Sequence, residues 1–474
     1  MRHRVLILFS LLCLALTATA QSELSPEVKE FVRVQSQLVA LEHLRVIDGT
    51  GAPAANDQTI LISNGKIAAI GPSASVAVPA DAKRLDLTGY SALPGLVGMH
   101  DHLFYPSADQ LYHDMVFSFP RLYLAAGVTT IRTTGSIEPY TDLEIKKAID
   151  AGKSLGPKIN VTGPYLEGKG LPLMQIHALA GPDDATRTVD YWVKEGARSF
   201  KAYNYLTRAE LKAAIDAAHR HHVKVTGHLC SIGFREAAAL GIDDLEHGLT
   251  VDTEFFPGKQ PDVCPNPNQA VAAAAKLEAE SEPIQTTIHE LVAHHVALTS
   301  TLPVFEQFVS SRPDIPQRVT EMLSDDARKA YQGNRDRIAK QKDSSWPLMF
   351  QKEMQFERSF VKAGGLLLAG LDPTGIGGIV AGLGDWREVE LLVEAGFTPV
   401  ESIKIASFNG AQFLGEQDSI GSLAVGKQAD IAIAKGDPSV TIQDIENMEL
   451  VFKDGIGYDT KKIMDSAKGQ VGIR

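Results

Sequence analysis

The chain has 474 residues, which is long for one small hydrophobic core, so we expect one large domain with an appendage, or two domains. Its 44% hydrophobic and 22% charged residues are typical of a globular protein. A formal net charge of -12 disfavours binding to nucleic acid and to anionic membrane surfaces, because both depend on Lys and Arg. The charge says little about small-molecule substrates, since the field in a cleft can oppose the net charge.

The first twenty residues have the features of a secretory signal peptide. A basic start at residues 2–4 precedes an apolar run at residues 5–16, which is too short to span a bilayer. Ala18-Thr19-Ala20 then fits a cleavage site made of small residues. Because no later stretch of the sequence is long and apolar enough for a membrane span, we predict a periplasmic or secreted protein with no membrane association after cleavage of residues 1–20.

Removal of this segment leaves two cysteines, Cys230 and Cys264. In an oxidising compartment they could form a disulfide, or both could be unpaired structural cysteines. Two cysteines in a large chain do not make a disulfide framework, and neither has the spacing of a zinc site. The sequence leaves the pairing open.

Short β runs separated by turn signals occupy the chain up to residue 94, with turns such as Asn64-Gly65 between them. A similar β pattern resumes after Gly410. We therefore predict one small β-sandwich domain formed by two separate segments, residues 21–94 and residues 411–474.

Between these segments, in residues 95–410, short buried-strand runs alternate with helical patterns. Several strands follow a glycine-containing turn, as at Ala126-Gly127 and Ala363-Gly364, which is typical of parallel α/β folds. Eight such units predict a (β/α)8 barrel, and an open doubly wound sheet is the alternative. The eight strand runs lie at residues 95–102, 128–133, 158–162, 199–203, 223–228, 244–247, 296–301 and 365–371.

Two long connections interrupt the barrel pattern. One follows His247 and includes the Pro-rich residues 256–267, and the other, largely charged and helical, lies between residues 302 and 360. Long connections after barrel strands often form lids or substrate walls. The alternative is that they only cover the barrel or build an oligomer contact.

Four histidines stand at the predicted carboxyl ends of three strands. His100 and His102 are two residues apart, so both side chains face the same side of a strand and can hold one metal ion. His228 ends the fifth strand and His247 ends the sixth. Each is singly more typical of a buried core histidine, but barrel active sites lie at this end of the strands. Together with a carboxylate, such a set suits zinc and related metals.

Two further strand-end residues are ambiguous on their own. Asp372 directly follows the eighth buried run, where a carboxylate is costly unless it is paired or binds metal, but it could equally start a turn before Pro373. With the histidines nearby, we interpret Asp372 as a metal ligand and general base. Lys201, near the end of the fourth strand, is either a lysine whose amine reaches solvent or a neutral amine that captures carbon dioxide as a carbamate.

The chain resembles the amidohydrolase superfamily, in the branch that includes imidazolonepropionases and metal-dependent Xaa-Pro and Xaa-Arg/Lys dipeptidases. The resemblance runs from about residue 39 to residue 454, most of the mature chain. The segments that carry it are Val46-Ile47-Asp48-Gly49-Thr50-Gly51, Leu93-Pro94-Gly95-Leu96-Val97-Gly98-Met99-His100-Asp101-His102, Ala411-Gln412-Phe413-Leu414-Gly415, Gly421-Ser422-Leu423 and Gly426-Lys427-Gln428-Ala429-Asp430.

The resemblance implies two divalent metal ions, expected to be Zn²⁺. His100, His102 and Asp372 would hold the more buried ion. His228 and His247 would hold the second ion. Members of the superfamily often form oligomers, so a homo-oligomer is also expected.

The resemblance further implies that Lys201, carboxylated by carbon dioxide, bridges the two ions together with a hydroxide. Asp372 would accept the proton of the attacking hydroxide and pass it to the leaving nitrogen. Lys201 distinguishes this arrangement from mononuclear, deaminase-like relatives, which lack the lysine at this strand. The resemblance therefore favours hydrolysis at a two-metal centre.

Residues that bind the substrate are less clearly marked, because each candidate is individually more typical of a structural residue. We take Tyr203, His177 and Tyr105 as the substrate-binding candidates. The wider set of side chains at or near predicted strand ends is Tyr105, His113, Arg132, Tyr165, His177 and Tyr203.

The sequence thus predicts an exported hydrolase that cleaves the amide bond of a small molecule, either a dipeptide or an N-acyl amino acid with a free carboxylate. A cyclic amide, a lactone or a carbamate is the alternative substrate. A non-catalytic exported binding protein on the same fold is the alternative from another class. A non-catalytic binding protein would be expected to lack some of the metal ligands, whereas all six predicted ligand residues are present.

Overall fold

A computed structural model describes residues 23–106, 111–171, 173–341 and 343–473. The predicted signal peptide, residues 1–20, lies outside the described residues. Among the helices of the described ranges, none combines the length and the apolar character needed to cross a membrane.

The described strands, in chain order, are β1 (Val32–Val34), β2 (Leu38–Val46), β3 (Ala55–Ser63), β4 (Lys66–Pro72), β5 (Lys83–Asp86), β6 (Tyr90–Pro94), β7 (Leu96–Asp101), β8 (Phe104–Pro106), β9 (Tyr112–Asp114), β10 (Val128–Thr133), β11 (Lys158–Asn160), β12 (Ser199–Ala202), β13 (Lys224–Gly227), β14 (Asp244–Glu246), β15 (Ala297–Ser300), β16 (Leu367–Ala369), β17 (Ile431–Lys435), β18 (Met448–Lys453) and β19 (Ile456–Asp459).

The described helices are α1 (Pro26–Lys29), α2 (Ser118–Ala125), α3 (Pro139–Asp150), α4 (Pro182–Glu195), α5 (Arg208–Arg220), α6 (Phe234–Leu240), α7 (Pro267–Ala274), α8 (Glu282–Ala293), α9 (Leu302–Glu306), α10 (Gln317–Thr320), α11 (Asp325–Ala339), α12 (Trp346–Lys362), α13 (Leu383–Ala395), α14 (Pro399–Lys404), α15 (Gly410–Leu414) and α16 (Thr460–Ala467). Short 3₁₀ or π-helical segments lie at Gly248–Thr250, Ile405–Asn409 and Ile442–Glu446.

The β patterns at the two ends of the chain come together in one nine-stranded sheet. Its order is β1-β19-β18-β17-β6-β2-β3-β4, and β5 pairs with β2. The central pairing of β17 with β6 joins the C-terminal segment to the N-terminal one. Apolar side chains from both segments, including Leu41, Ile60 and Ile431, are buried in one core. The separate β domain expected from the sequence is therefore built from both segments.

Eight parallel strands form the barrel. Three pair in the order β11-β10-β7 and five in the order β12-β13-β14-β15-β16. Backbone hydrogen bonds join the two groups at both edges: the N–H of Gly163 donates to the carbonyl of Ser199 at 2.9 Å, and the N–H of Asp372 donates to the carbonyl of His100 at 3.0 Å. The barrel prediction is confirmed, and each of the eight strands falls within or at its predicted run.

The junction between β16 and β7 depends on a glycine. A Cβ atom at Gly370 would lie 2.4 Å from the backbone nitrogen of His100, closer than any side chain tolerates. Glycine at this position lets the eighth strand approach the first without a clash. Asp372, two residues later, is thereby brought beside the His100-Asp101-His102 segment.

The long connection between β15 and β16 packs as part of the barrel's own core. Its last helix, α12, buries Met349, Phe350, Phe356 and Phe360, which all belong to the main hydrophobic cluster. Burial of these side chains is the dominant favourable contribution that fixes the helix in place. The connection thus packs against the barrel along the whole of its last helix.

Cys230 and Cys264 form a disulfide, with their Cα atoms 4.9 Å apart. The bond ties the Pro-rich connection after His247 to the loop that begins at His228, at the end of the fifth barrel strand. The pairing that the sequence left open is therefore present.

Candidate metal centre

Six side chains converge at the carboxyl ends of the barrel strands. Asp372 and His102 line one small cavity together with Lys201 and His228. The rings of His100 and His228 each lie 4.4 Å from the ring of His247, measured between centroids. The structure therefore brings together all six residues that the sequence predicts as metal ligands.

The tightest group consists of His100, His102 and Asp372. One ligand atom from each lies within 4.8 Å of the others, and all three side chains are buried. The Nε2 atoms of His100 and His102 lie 3.8 Å and 3.6 Å from the carboxylate oxygens of Asp372. These separations leave room for one ion between the three side chains, since metal–ligand distances near 2 Å place ligand atoms about 3 to 4 Å apart.

His247 and Lys201 lie next to this group. The Nε2 atom of His247 is 3.9 Å from Oδ2 of Asp372. The Nζ atom of Lys201 is 2.9 Å from Nε2 of His100, and Lys201 lines the same cavity as His228.

Glu246 orients His100 from behind. With its proton on Nδ1, His100 donates to Glu246 at 2.7 Å and keeps Nε2 directed into the site. Arg132 in turn donates to Glu246 at 2.8 Å and to the carbonyl of Met99. A carboxylate behind a metal-binding histidine fixes its tautomer and raises its basicity. Arg132 is fully buried in this role, so it is not a substrate-binding residue.

The sequence analysis missed Glu246, although a signal for it was present. Asp244 and Glu246 alternate along a short buried strand, so both side chains point into the barrel. Buried carboxylates need partners, and both lie within reach of the Arg132 guanidinium. An acidic pair two residues apart in a buried strand was therefore the available clue.

The donor set fits a metal ion. The Nδ1 atom of His247 lies 2.7 Å from the Thr301 hydroxyl, and that of His102 lies 3.2 Å from the carbonyl of Gly135. The opposite Nε2 atoms of His102 and His247 are buried and have no hydrogen-bond partner among the described residues. Such unpartnered nitrogens are costly unless they bind something. Burial lowers the pKa of all four histidines, which keeps the imidazoles in the neutral form that binds metal.

Backbone strain marks two of the ligands. His247 has a φ of 69° and Asp372 a φ of 49°, in the left-handed region that non-glycine residues rarely adopt. Strain of this kind persists only where surrounding contacts hold it, and it is concentrated at functional sites. Both ligands are therefore held by their neighbours rather than by local preference.

A cavity of about 60 Å³ opens beside the ligands, and its lining includes Phe104, Tyr112, Tyr165 and Tyr203. Tyr203 lies 4.9 Å from the ring of Tyr165 and 4.9 Å from that of His228, and Phe104 stacks on His102 at 4.2 Å. Burial raises the pKa of Tyr203, so its hydroxyl stays protonated and can donate a hydrogen bond. The candidate Tyr203 thus lines the cavity beside His228.

The structure does not bring the other two substrate-binding candidates into this cavity. Tyr105 is buried against Phe119, and its hydroxyl accepts a hydrogen bond from the N–H of Gly378 at 2.8 Å. His177 is exposed, with its Nε2 atom 3.1 Å from a carboxylate oxygen of Asp184. Both residues were chosen because they lie near predicted strand ends, but that position alone does not determine which groups the side chains contact.

Comparison with known proteins agrees with this geometry. The profile of the Amidohydrolase family matches residues 374–458. A solved structure of a Bifidobacterium longum protein assigned as a prolidase is 25% identical and covers 91% of this chain and 99% of its own, with a TM-score of 0.66. These matches support the amidohydrolase superfamily for this chain. The superfamily predicted from the sequence is confirmed, and its members are metal-dependent, in agreement with the His100, His102 and Asp372 group.

Other amidohydrolases share the fold. A Xaa-Pro dipeptidase with methionine bound in its active site is 21% identical, with 89% of this chain and 100% of that chain covered and a TM-score of 0.67. A bottromycin amidohydrolase is 18% identical, with 94% and 95% covered and a TM-score of 0.70.

Among curated proteins, a dihydroorotase from Syntrophus aciditrophicus (strain SB) is 37% identical over 107 residues, which are 22% of this chain and 24% of that relative. The match thus spans about a quarter of the curated relative's length. Together with the family profile and the solved structures, it supports a hydrolase acting on carbon–nitrogen bonds.

Proposed function

We propose that this amidohydrolase is an exported, two-metal enzyme that hydrolyses the amide bond of a dipeptide or an N-acyl amino acid. The observation that carries the proposal is the convergence of six ligand side chains with two buried, unpartnered histidine nitrogens. Export is supported by the Cys230–Cys264 disulfide, because disulfides persist in oxidising compartments.

Lys201 supports two metal ions rather than one. It is almost fully buried, and burial lowers the pKa of its amine to about 8. A fraction of the Lys201 amine is therefore neutral at neutral pH. The neutral amine is the form that adds to carbon dioxide to give a carbamate. The carbamate adds two anionic oxygens to the amine nitrogen and releases one proton, and these oxygens could each bind one ion. We therefore assign Lys201 as the carboxylated bridging ligand.

The chemistry divides between the metal ions and Asp372. Two bound divalent ions would lower the pKa of a coordinated water and polarise the scissile carbonyl. Asp372 accepts the proton that water loses as the new C–O bond forms, and it delivers the proton to the nitrogen as the C–N bond breaks. Burial raises the pKa of Asp372 to about 6, near the working pH that suits proton transfer in both directions.

The cavity supports a small substrate with an apolar side chain. Phe104, Tyr112 and Tyr165 form its aromatic wall, and Tyr203 contributes a protonated hydroxyl beside His228. We assign this hydroxyl to the substrate carbonyl or carboxylate. The solved structures named as a prolidase and a Xaa-Pro dipeptidase favour a dipeptide. The dihydroorotase match favours a cyclic amide, which is the second candidate substrate.

The direct test is metal analysis combined with a substrate screen. The mature chain, purified with bicarbonate and Zn²⁺, is expected to hold two metal ions and to release amine from members of dipeptide and N-acyl amino acid panels. Turnover of cyclic amides alone would select the second candidate. A folded chain that binds no metal and releases no amine would leave only the non-catalytic binding protein.

A smaller test concerns the assigned substrate contact. Tyr203→Phe removes one hydroxyl, so we expect kcat/KM to fall about 3- to 10-fold, in line with the loss of one hydrogen bond. Metal content should stay at the parent value. His177→Ala, which changes an exposed side chain outside the cavity, is the matched control and should leave kcat/KM unchanged.

A further inference from the structure

The turn that follows β14 has an unusual conformation. His247 and Gly248 are consecutive residues with positive φ angles, 69° and 61°. For His247 this conformation is strained, and the strain must be held by contacts outside the turn. The 3₁₀ segment Gly248–Thr250 that follows is the part of the backbone through which such contacts can act.

Helix α12 supplies these contacts through Glu353. Its Oε2 atom accepts hydrogen bonds from the N–H of Thr250 at 2.7 Å and from the Thr250 hydroxyl at 2.8 Å. Its Oε1 atom would lie only 1.8 Å from a Cβ atom at Gly248, so the carboxyl group rests directly on the Cα of that glycine. Glu353 is 1% exposed, which leaves it no freedom to move away.

The ring of His247 is fixed from the opposite side. Its Nδ1 atom lies 2.7 Å from the Thr301 hydroxyl, and its backbone N–H donates to the carbonyl of Thr299 at 2.9 Å. β15 and the residue after it therefore set the position of His247, while Glu353 sets the path of the chain that leaves it. The two constraints together aim Nε2 toward Asp372.

A cation site is the competing use for this region, because Glu357 and Glu388 are buried near Glu353, and burial, followed by neighbouring carboxylates that include Glu353, raises the pKa of both. Within the described ranges, however, the residues whose ligand atoms gather within 4.8 Å are His100, His102 and Asp372, and none of the three glutamates joins such a group. Burial instead raises the pKa values of Glu353 and Glu388 to about 8, so both carry a proton at neutral pH. The cluster therefore holds protons rather than an ion.

We propose that Glu353 is a positioning residue for the second metal: it holds Gly248–Thr250 so that His247, in its left-handed conformation, presents Nε2 to the ion. This inference rests on the two-metal centre proposed above. It gives the connection between residues 302 and 360 a role in building the site, because its last helix braces a ligand 106 residues away in the chain (353 minus 247).

The test compares three variants of the full mature chain by Zn²⁺ titration of the metal-free protein against a competing chelator. Glu353→Met keeps the side-chain volume but removes both acceptors, so we expect the second dissociation constant to rise about 10- to 100-fold while the first stays unchanged. Glu353→Gln keeps an acceptor oxygen for Thr250 and is expected to bind both ions as the parent does. Glu357→Met, one turn along the same helix and equally buried, is the matched control and should also bind both ions.

Parent-like affinity for the second ion in Glu353→Met would overturn the inference, and so would an equal loss in Glu357→Met, since helix packing would then explain it. If Glu353→Met does not fold, the pair Thr250→Val and Thr250→Ser decides the question. Thr250→Val removes the hydroxyl that donates to Glu353, whereas Thr250→Ser keeps it, so only the valine variant should bind the second ion more weakly. Equal affinity in the two variants would contradict the inference.

Failure of the two-metal proposal is a separate result. A parent chain that binds fewer than two Zn²⁺ ions refutes the metal centre and, with it, the role of Glu353. A parent that binds two ions while every variant matches it refutes the role of Glu353 alone.

Discussion

The two halves of the proposed metal centre are held in place in different ways. The half that contains His100 is held by charge, because Glu246 and Arg132 form a fully buried ion pair inside the barrel. The half that contains His247 is held by neutral groups, the Thr301 hydroxyl and a protonated Glu353. The contacts that hold His100 come from the barrel strands. Those that hold His247 come from the end of β15 and from the connection between residues 302 and 360. The comparison indicates that the barrel alone builds one ligand set, while the inserted helix completes the other.

The largest expected effect is on turnover and comes from Asp372, which lies close to both His100 and His247. Asp372→Asn leaves the carbonyl oxygen as a ligand but removes proton transfer, so we expect kcat to fall about 10²- to 10⁴-fold. Turnover and metal content measured on the same preparation check this. A loss below tenfold with full metal content would transfer the general-base role to another residue.

The next effect concerns Lys201, the proposed bridging ligand. Lys201→Ala removes the bridging ligand, so we expect metal occupancy to fall sharply and activity to fall with it. Metal analysis of protein grown with bicarbonate checks this, with Lys224→Ala as a control for loss of a lysine on the neighbouring strand β13. Full occupancy and activity in Lys201→Ala would refute the carbamate bridge.

The third prediction distinguishes the charged contacts that hold His100 from the neutral contacts that hold His247. Glu246→Gln removes one of the two carboxylates that face the buried Arg132 guanidinium, so we expect the free energy of unfolding to fall by about 1.5 to 3 kcal/mol and the first metal to bind about 10- to 100-fold more weakly. Chemical denaturation and metal titration measure the two effects. Glu353→Gln, the same change in the other half, should spare both quantities. Equal damage in the two variants would remove the distinction between a charged and a neutral brace.

The fourth effect is on the pH dependence of stability. Burial raises the folded-state pKa of Glu353 from 4.5 to about 8, so the folded protein binds more protons than the unfolded chain between these values. The contribution of Glu353 is therefore complete below about pH 4.5 and is lost as the pH rises toward 8. We expect the free energy of unfolding of the parent to decline with pH more steeply than that of Glu353→Gln, by at most about 1.4 kcal/mol per pH unit. Parallel curves between pH 5 and pH 8 would show that Glu353 is charged.

The barrel and the strand-end positions of the four histidines and Asp372 could be predicted because their signals are local, whereas the role proposed for Lys201 came from the family resemblance. Short apolar runs, glycine turns and a polar residue after each run are all visible within a few positions of one another, and parallel strands place their carboxyl ends at one edge. His228 and His247 needed no knowledge of a partner to be placed there.

The braces could not be predicted in this way, because each depends on contacts between distant parts of the chain. Glu246 meets Arg132 across 114 positions, and Glu353 meets Thr250 across 103. Glu353 also lies in an insertion whose charged, helical pattern is typical of an exposed segment. Tyr105 and His177 could be placed near strand ends from the sequence, but not their side-chain contacts, and neither residue lines the cavity.

The Cys230–Cys264 bond has a practical consequence for anyone who prepares this enzyme. Its sulfurs close a ring of chain, with a sequence separation of 34, that begins two residues after His228. By loop-closure entropy such a ring contributes about 3 to 4 kcal/mol to stability. A reductant in the purification buffer, or expression in a reducing cytosol, would open that ring beside a metal ligand. Oxidising expression and thiol-free buffers are therefore the conditions under which the zinc content should be determined.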